Sequence, residues 1–190
     1  MSVRSLFITQ LYEAELGDDA LLADLAHSIR ALSRGDRADR NWSKDNRYAG
    51  YTSYASLNDL PRRDPAFAGL AKTLKRHATD FARDLGWERT PKLDGLWANL
   101  LRGSGHHSAH IHPHSALSGT LYVEVAKGAG VIRFEDPRLP LMMAAPPRTD
   151  TFVTVEPRPG LLLLWESWLR HEVLPGTGKA ERLSVSFNFA

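Results

Sequence analysis

Apolar residues along the first half of the chain recur at helical spacing. Leu21, Leu22, Leu25, Ile29 and Leu32 fall three and four residues apart behind Asp18 and Asp19, which predicts an amphipathic helix. A second stripe, Phe67, Leu70, Leu74, Ala78, Phe81 and Leu85, predicts a helix over 65–85, opened by Asp64-Pro65 and closed by Gly86. A short apolar stretch over 5–12 reads as a first strand. Residues 35–63 show no period and are long for a connection. Their Trp42, Tyr48, Tyr51 and Tyr54 suit either a lid over a substrate or a loop packing its rings on the core. From residue 93 the pattern changes to short strands punctuated by Gly and Pro, over 96–101, 109–114, 117–126, 130–134, 151–156, 160–165, 171–174 and 182–189. Helices followed by a run of strands predict an α+β chain built on an antiparallel sandwich or barrel. The helices are expected to buttress that sheet.

A length of 190 residues suits one domain, 1–190, with a helical front end over 1–92 and a main β-core over 93–190. The 43% apolar and 24% charged shares are those of a globular protein in water. No stretch approaches the roughly 20 apolar residues that span a bilayer, and the N-terminus lacks the apolar core of a secretory signal. There is no cysteine, which excludes disulfides, thiolate ligands and a Cys nucleophile. Nothing points to export, so a cytoplasmic location is the default expectation. The formal charge of +2 is too small and too dispersed for a nucleic-acid binder. The densest basic stretch, Arg34, Arg37, Arg40, Lys44 and Arg47, is diluted by Asp36, Asp39 and Asp45 and reads as a solvated loop. Paired subunits are the default expectation for such a domain.

The histidines add chemistry to this outline. The chain has eight, and His106, His107, His110, His112 and His114 fall within one short run. Positions two apart on an extended segment face the same way, so His110 and His112 could aim two imidazoles at one metal, with His171 as a distant third. The shifted pair of His112 with His114 is the competing assignment. Imidazole suits iron, zinc, copper and nickel alike. His106, His107 and whichever histidine is left over read as exposed or supporting groups. On the last strand Arg182, Ser184, Ser186 and Asn188 share one face. That face is either solvent-exposed or the lining of a polar barrel interior, where Arg182 offers a fork to a carboxylate and Ser184 a hydroxyl. Asn99, two residues beyond Trp97, and Tyr122 are further candidates to face such a site. Glu135, Asp136 and Arg138 open a Pro-rich stretch through Arg148 that reads as a lid or as a local ion pair.

Three blocks together resemble a known family. His110-Ile111-His112 followed by Leu117-Ser118-Gly119-Thr120-Leu121-Tyr122-Val123 resembles the first metal-binding strand of iron(II)/2-oxoglutarate dioxygenases. The block from Pro159-Gly160-Leu161 through Trp165 to His171-Glu172-Val173 resembles their distal-histidine strand. Glu181-Arg182-Leu183-Ser184 resembles their co-substrate arginine strand. With Phe134-Glu135-Asp136-Pro137-Arg138 and the closing Ser186-Phe187-Asn188, the chain is similar to a bacterial group of 2-oxoglutarate/iron(II) oxygenases, firmly over 95–190 and loosely before that.

The resemblance implies a double-stranded β-helix, the jelly-roll or cupin-like core, with the helices outside it. It implies Fe(II) held by His110, His112 and His171, and 2-oxoglutarate held by Arg182 with Ser184. Asn99, His114, Tyr122 and Asn188 would be supporting or substrate-facing residues. It further implies O2 as co-substrate, release of succinate and CO2, and hydroxylation of a substrate that the sequence does not identify. One departure stands out: the family's usual His-x-Asp or His-x-Glu is His-x-His here. An imidazole in place of a carboxylate leaves the site more positive, favours a dianionic co-substrate, removes an anionic donor to iron, and fills the space halogenating relatives leave open. Two alternatives follow. One is a three-histidine cupin-like dioxygenase that does not use 2-oxoglutarate; the other is a non-catalytic metal- or 2-oxoglutarate-binding module.

Overall fold

The computed structural model describes residues 2–144, 146–147 and 151–190. The front end comprises strand β1 (Leu11–Glu15), helices α1 (Asp19–Gly35) and α2 (Arg37–Asp45), strand β2 (Gly50–Thr52), a 3-10 turn at Leu60–Arg62 and helix α3 (Pro65–Asp84). The β-core follows as β3 (Leu93–Arg102), β4 (His107–His110), β5 (Leu117–Val125), β6 (Ile132–Glu135), a short helix α4 (Leu139–Ala144), β7 (Phe152–Val155), β8 (Leu161–Glu166), β9 (His171–Val173) and β10 (Glu181–Phe189).

Two antiparallel sheets form. One has the order β1-β8-β5-β10-β3-β2, the other β4-β9-β6-β7. This is the double-stranded β-helix. Strand alternation divides the apolar residues into two clusters. On β10, Leu183, Val185, Phe187 and Phe189 turn outward and pack with Leu25 and Ile29 of α1 and Phe67, Leu70 and Leu74 of α3. On β8, Leu161, Leu163 and Trp165 turn inward and meet Ile132 and Phe134 of the smaller sheet. Front end and β-core thus share one apolar layer. Truncating a fully buried ring such as Phe67 or Phe187 to Ala would cost about 3–5 kcal/mol. Among the described residues no helix is long and apolar enough to cross a membrane.

Both long helices lie where their stripes predict them, α3 capped by the Asp64 carboxylate, which accepts from the Ala66 N–H at 2.8 Å. Three expectations need correction. The strand expected over 5–12 begins only at Leu11, the first residue to pair with β8; Leu6, Phe7 and Ile8 are exposed. The stretch over 35–63 contains α2 and β2. Helix α2 has no apolar stripe to announce it and is held by Asp36, whose carboxylate accepts from the Ala38 and Asp39 N–H groups. The strand expected over 109–114 spans His107–His110, and the chain then leaves the ladder, with the His112 N–H donating to the Ser167 carbonyl at 3.0 Å. In the Pro-rich stretch Arg138 pairs with Asp136 at 2.6 Å, whereas Arg148 lies outside the described residues.

Candidate functional site

Antiparallel pairing of β4 with β9 sets His110 opposite His171. His112 approaches from the connector beyond β4. One ring nitrogen from each of the three lies within 4.8 Å of the others. The remaining nitrogens are engaged: His110 Nδ1 lies 2.6 Å from the Ser108 carbonyl, and His171 Nδ1 lies 2.9 Å from the Leu169 carbonyl. A carbonyl can only accept, so each Nδ1 carries the proton and each Nε2 presents its lone pair to the group. His112 Nε2 is 3.2 Å from His110 Nε2. The His112 ring stacks on Trp97 with centroids 6.2 Å apart and is hydrogen-bonded by the Asn188 side chain. Asn188 is in turn fixed by Ser118, whose hydroxyl donates to Asn188 Oδ1 at 3.0 Å and lies 2.7 Å from Ser167 Oγ.

Burial holds His112 and His171 neutral. It is the main cause that lowers His171 to about 3 and His112 to about 4. Neutral imidazole is the metal-binding form. His114 lies apart from the three: it is exposed, beyond Pro113, in a left-handed conformation with φ 69°. His106 is exposed as well.

The polar face of β10 lines the barrel interior. Arg182 is 3% exposed, and Nη1 donates to the Gly130 carbonyl at 2.7 Å. Its Nε is buried with no partner among the described residues. The ring of Tyr122 lies 5.7 Å from the guanidinium carbon, and desolvation works against the charged form. Among the described residues no carboxylate meets this cation, so a buried charge is left needing an anion. Ser184 follows on the same face, paired in register with Tyr122 on β5 and with Asn99 on β3. Asn99 is buried between Thr52, which donates to Oδ1 at 2.9 Å, and Ser186, which accepts from Nδ2 at 3.0 Å. In the Leu117-Ser118-Gly119 segment the glycine is a packing requirement: a Cβ there would lie 2.3 Å from the Phe187 ring and 2.6 Å from the Leu163 carbonyl.

All of these groups border one cavity of about 330 Å³. His110, His112, His171, Arg182, Ser184, Asn99, Tyr122 and Asn188 line it, and His114 does not. Trp42, Tyr54, Trp97 and Ile111 add an apolar wall. Among the described lining residues there is no carboxylate and no lysine.

Two further lining residues, read in the sequence only as part of a lid or packing loop and as an exposed or supporting histidine, meet in the cavity. Tyr48 Oη lies 2.7 Å from His107 Nε2, and the two rings stack with centroids 5.7 Å apart. Burial, with Arg182 as the next cause, lowers His107 to about 3. Positions 107 and 110 have opposite parity on a regular strand. A register shift between them, opposite β9, turns both into the cavity. No pattern of residue types announces that irregularity.

The chemistry of the donor set fits the groups that the motifs imply. Three imidazole nitrogens converge as a metal requires, and a buried guanidinium whose Nε has no partner among the described residues sits in the same cavity as a carboxylate requires.

A family model described as "Putative 2OG-Fe(II) oxygenase" matches residues 95–188, the span that carries every one of these motifs. Over that span, just under half of the chain, the sequence is similar to the 2OG-Fe(II) oxygenase family. Solved structures share the fold. The chain is similar to SnoN, an α-ketoglutarate-dependent epimerase from nogalamycin biosynthesis, at TM-score 0.69 and 15% identity over 96% of this chain and 78% of that one. SnoN has also been crystallised with Fe3+, α-ketoglutarate and a nogalamycin ligand. The chain is also similar to a Pseudomonas putida prolyl-4-hydroxylase at TM-score 0.66 and 17% identity over 95% of this chain and 92% of that one. A 2OG-Fe(II) oxygenase family oxidoreductase from Burkholderia pseudomallei aligns over 60% of this chain at 16% identity and TM-score 0.48, and this chain spans about half, 52%, of its length. No curated protein matches the sequence.

Proposed function

We propose that the chain is an iron(II)- and 2-oxoglutarate-dependent oxygenase formed by one domain over 1–190. In it His110, His112 and His171 hold the metal, and Arg182 with Ser184 receives the far carboxylate of 2-oxoglutarate. The observation that carries this reading is the buried Arg182, whose Nε has no partner among the described residues, in the same cavity as three converging imidazoles. When bound, iron with 2-oxoglutarate supplies the oxidising chemistry, using O2 and releasing succinate and CO2.

The chain's own residues bind and orient. Ser108 and Leu169 carbonyls fix two imidazole tautomers, and Asn188 with Ser118 steadies the third ring. Gly130 holds the guanidinium against Tyr122. The substrate reaches the site past Trp42, Tyr54, Trp97 and Ile111, a wall without formal charge that favours an uncharged, partly apolar group. Hydroxylation is the expected outcome. The named neighbours include both a hydroxylase and an epimerase, so product analysis decides that step.

Anaerobic addition of 2-oxoglutarate to the Fe(II)-loaded protein should produce a weak visible charge-transfer band, and admitting O2 should yield succinate. Absence of the band, of 2-oxoglutarate binding and of succinate overturns the reading. The all-histidine ligand set favours a second one, a three-histidine dioxygenase that does not use 2-oxoglutarate. Replacing Arg182 by Ala separates them, because it abolishes 2-oxoglutarate affinity only under the first. A module that binds both groups without chemistry would show the band and yield no succinate with any substrate.

A further inference from the structure

A carboxylate offers about four lone-pair directions, and its stability in a dry pocket depends on filling them. Arg182 already uses Nη1 on Gly130, which leaves the Nε side of its fork, and Ser184 adds one hydroxyl. This set is short of a full complement. Tyr48 lies close enough to the cation for its charge to bear on the phenol. It packs against the inner apolar cluster that holds Tyr122, Leu101 and Ile132 and lines the same cavity as Arg182.

The backbone holds Tyr48 there. The chain leaves α2 with the Tyr48 N–H donating to the Ser43 carbonyl at 2.7 Å and the Arg47 N–H to the Lys44 carbonyl at 3.2 Å, while Arg47 takes the left-handed φ of 54°. That is the Schellman arrangement, and it turns the residue after Arg47 back over the helix end. The Tyr48 ring accordingly meets Trp42 at 6.2 Å. The next residue is clamped to the core: the Ala49 carbonyl accepts from the Arg102 N–H at 3.0 Å, and it approaches Gly105 so closely that a Cβ there would lie 2.7 Å away. Tyr48 and His107 are thereby held at hydrogen-bonding distance from two separate elements.

Resting on the proposed function, we propose that Tyr48 donates its hydroxyl proton to the far carboxylate of 2-oxoglutarate beside Arg182, and that His107 is the positioning residue that aims it. His107 in its Nε2–H tautomer donates to the Tyr48 oxygen, and the phenolic proton is then free to turn to the anion. Burial pushes the Tyr48 phenol up, so it remains a donor at neutral pH. Burial and the charge of Arg182 keep His107 neutral, so the carboxylate meets a hydroxyl steered by a neutral ring rather than a second cation.

The test compares two keto acids on the Zn2+-loaded protein by calorimetry. 2-Oxoglutarate carries the far carboxylate, and 2-oxobutanoate lacks it while keeping the same keto-acid end. Tyr48→Phe should weaken 2-oxoglutarate about tenfold or more, the loss expected for one hydrogen bond to a charged group, and leave 2-oxobutanoate within about twofold. His107→Gln, whose amide can still donate to the Tyr48 oxygen, should retain more 2-oxoglutarate affinity than His107→Leu. If Tyr48→Phe weakens neither ligand, or both alike, the proposal is overturned. If the wild-type protein itself binds 2-oxobutanoate as tightly as 2-oxoglutarate, or binds neither, the fault lies with the Arg182 assignment and the proposed function falls with it.

Discussion

Arg182 carries its charge into the barrel among tyrosine rings, with its Nε unpaired among the described residues. Such a group is costly in the empty protein and useful when an anion arrives. Arg182→Leu should therefore lose 2-oxoglutarate binding while melting no lower than the wild type without ligand. Thermal scans with and without 2-oxoglutarate would show both effects, and a large drop in the ligand-free midpoint would contradict the argument. His112 permits an opposite substitution. His112→Ala removes a donor and should weaken zinc on the order of hundredfold in chelator competition. His112→Asp supplies an anionic donor, so it should hold metal at least as well as the wild type. The added negative charge should nonetheless weaken the dianionic co-substrate. At this scale the sequence showed much of the geometry. His110, His112 and His171 do converge, and the alternating polar row of β10 does enter the barrel. Periodicity alone left that row undecided because the apolar row behind it is equally buried, under α1 and α3. His107 was hidden by the register shift in β4, and Asn188 could be placed beside His112 only once the strands were paired.

Helix α2 shows the limit of hydrophobic patterning at the level of an element. Its sequence, Arg37-Ala38-Asp39-Arg40-Asn41-Trp42-Ser43-Lys44-Asp45, has one large apolar residue, and the charges read as a solvated loop. What makes the helix is capping and tertiary support. Asp36 caps its first turn, and Tyr51 donates to that same carboxylate at 3.0 Å. Ser56 donates to Asp39 at 2.8 Å. By contrast α1 and α3 carry full apolar stripes and could be read directly. At the far end of α2, Arg47 occupies the left-handed position that favours glycine. Arg47→Gly should stabilise the protein by about 1 kcal/mol, raising the melting temperature by about 2–4 °C, since the Schellman hydrogen bonds use only backbone. If the midpoint instead falls, the Arg47 side chain contributes more than its backbone strain costs. Either way the substitution leaves the aim of Tyr48 intact, so 2-oxoglutarate affinity should stay within about twofold of wild type.

Across the whole molecule the histidines couple stability to acidity. Burial lowers His107 and His171 to about 3 and His112 to about 4, whereas an unfolded chain would titrate all three near the ordinary value of about 6.5. Between those limits the unfolded state binds more protons, so unfolding becomes easier as pH falls. The contribution is complete above about pH 6.5 and is lost progressively towards the folded values. Burial raises Asp39 instead, and its effect has the opposite sign close to the ordinary carboxylate range. The window from about pH 7 down to about pH 5 therefore isolates the imidazoles. Denaturant unfolding of metal-free protein across it should show stability falling steadily, and His107→Leu should flatten part of the slope; an unchanged stability throughout would mean that the folded chain protonates its cavity freely. Zinc acts in the other direction. It binds the neutral imidazoles of the folded state, so at about a hundred times its dissociation constant it should add about 2.7 kcal/mol at neutral pH, and its removal by a chelator should return the protein to the metal-free curve. The same burial that makes the metal-free protein acid-sensitive keeps His112 and His171 unprotonated and ready for a metal.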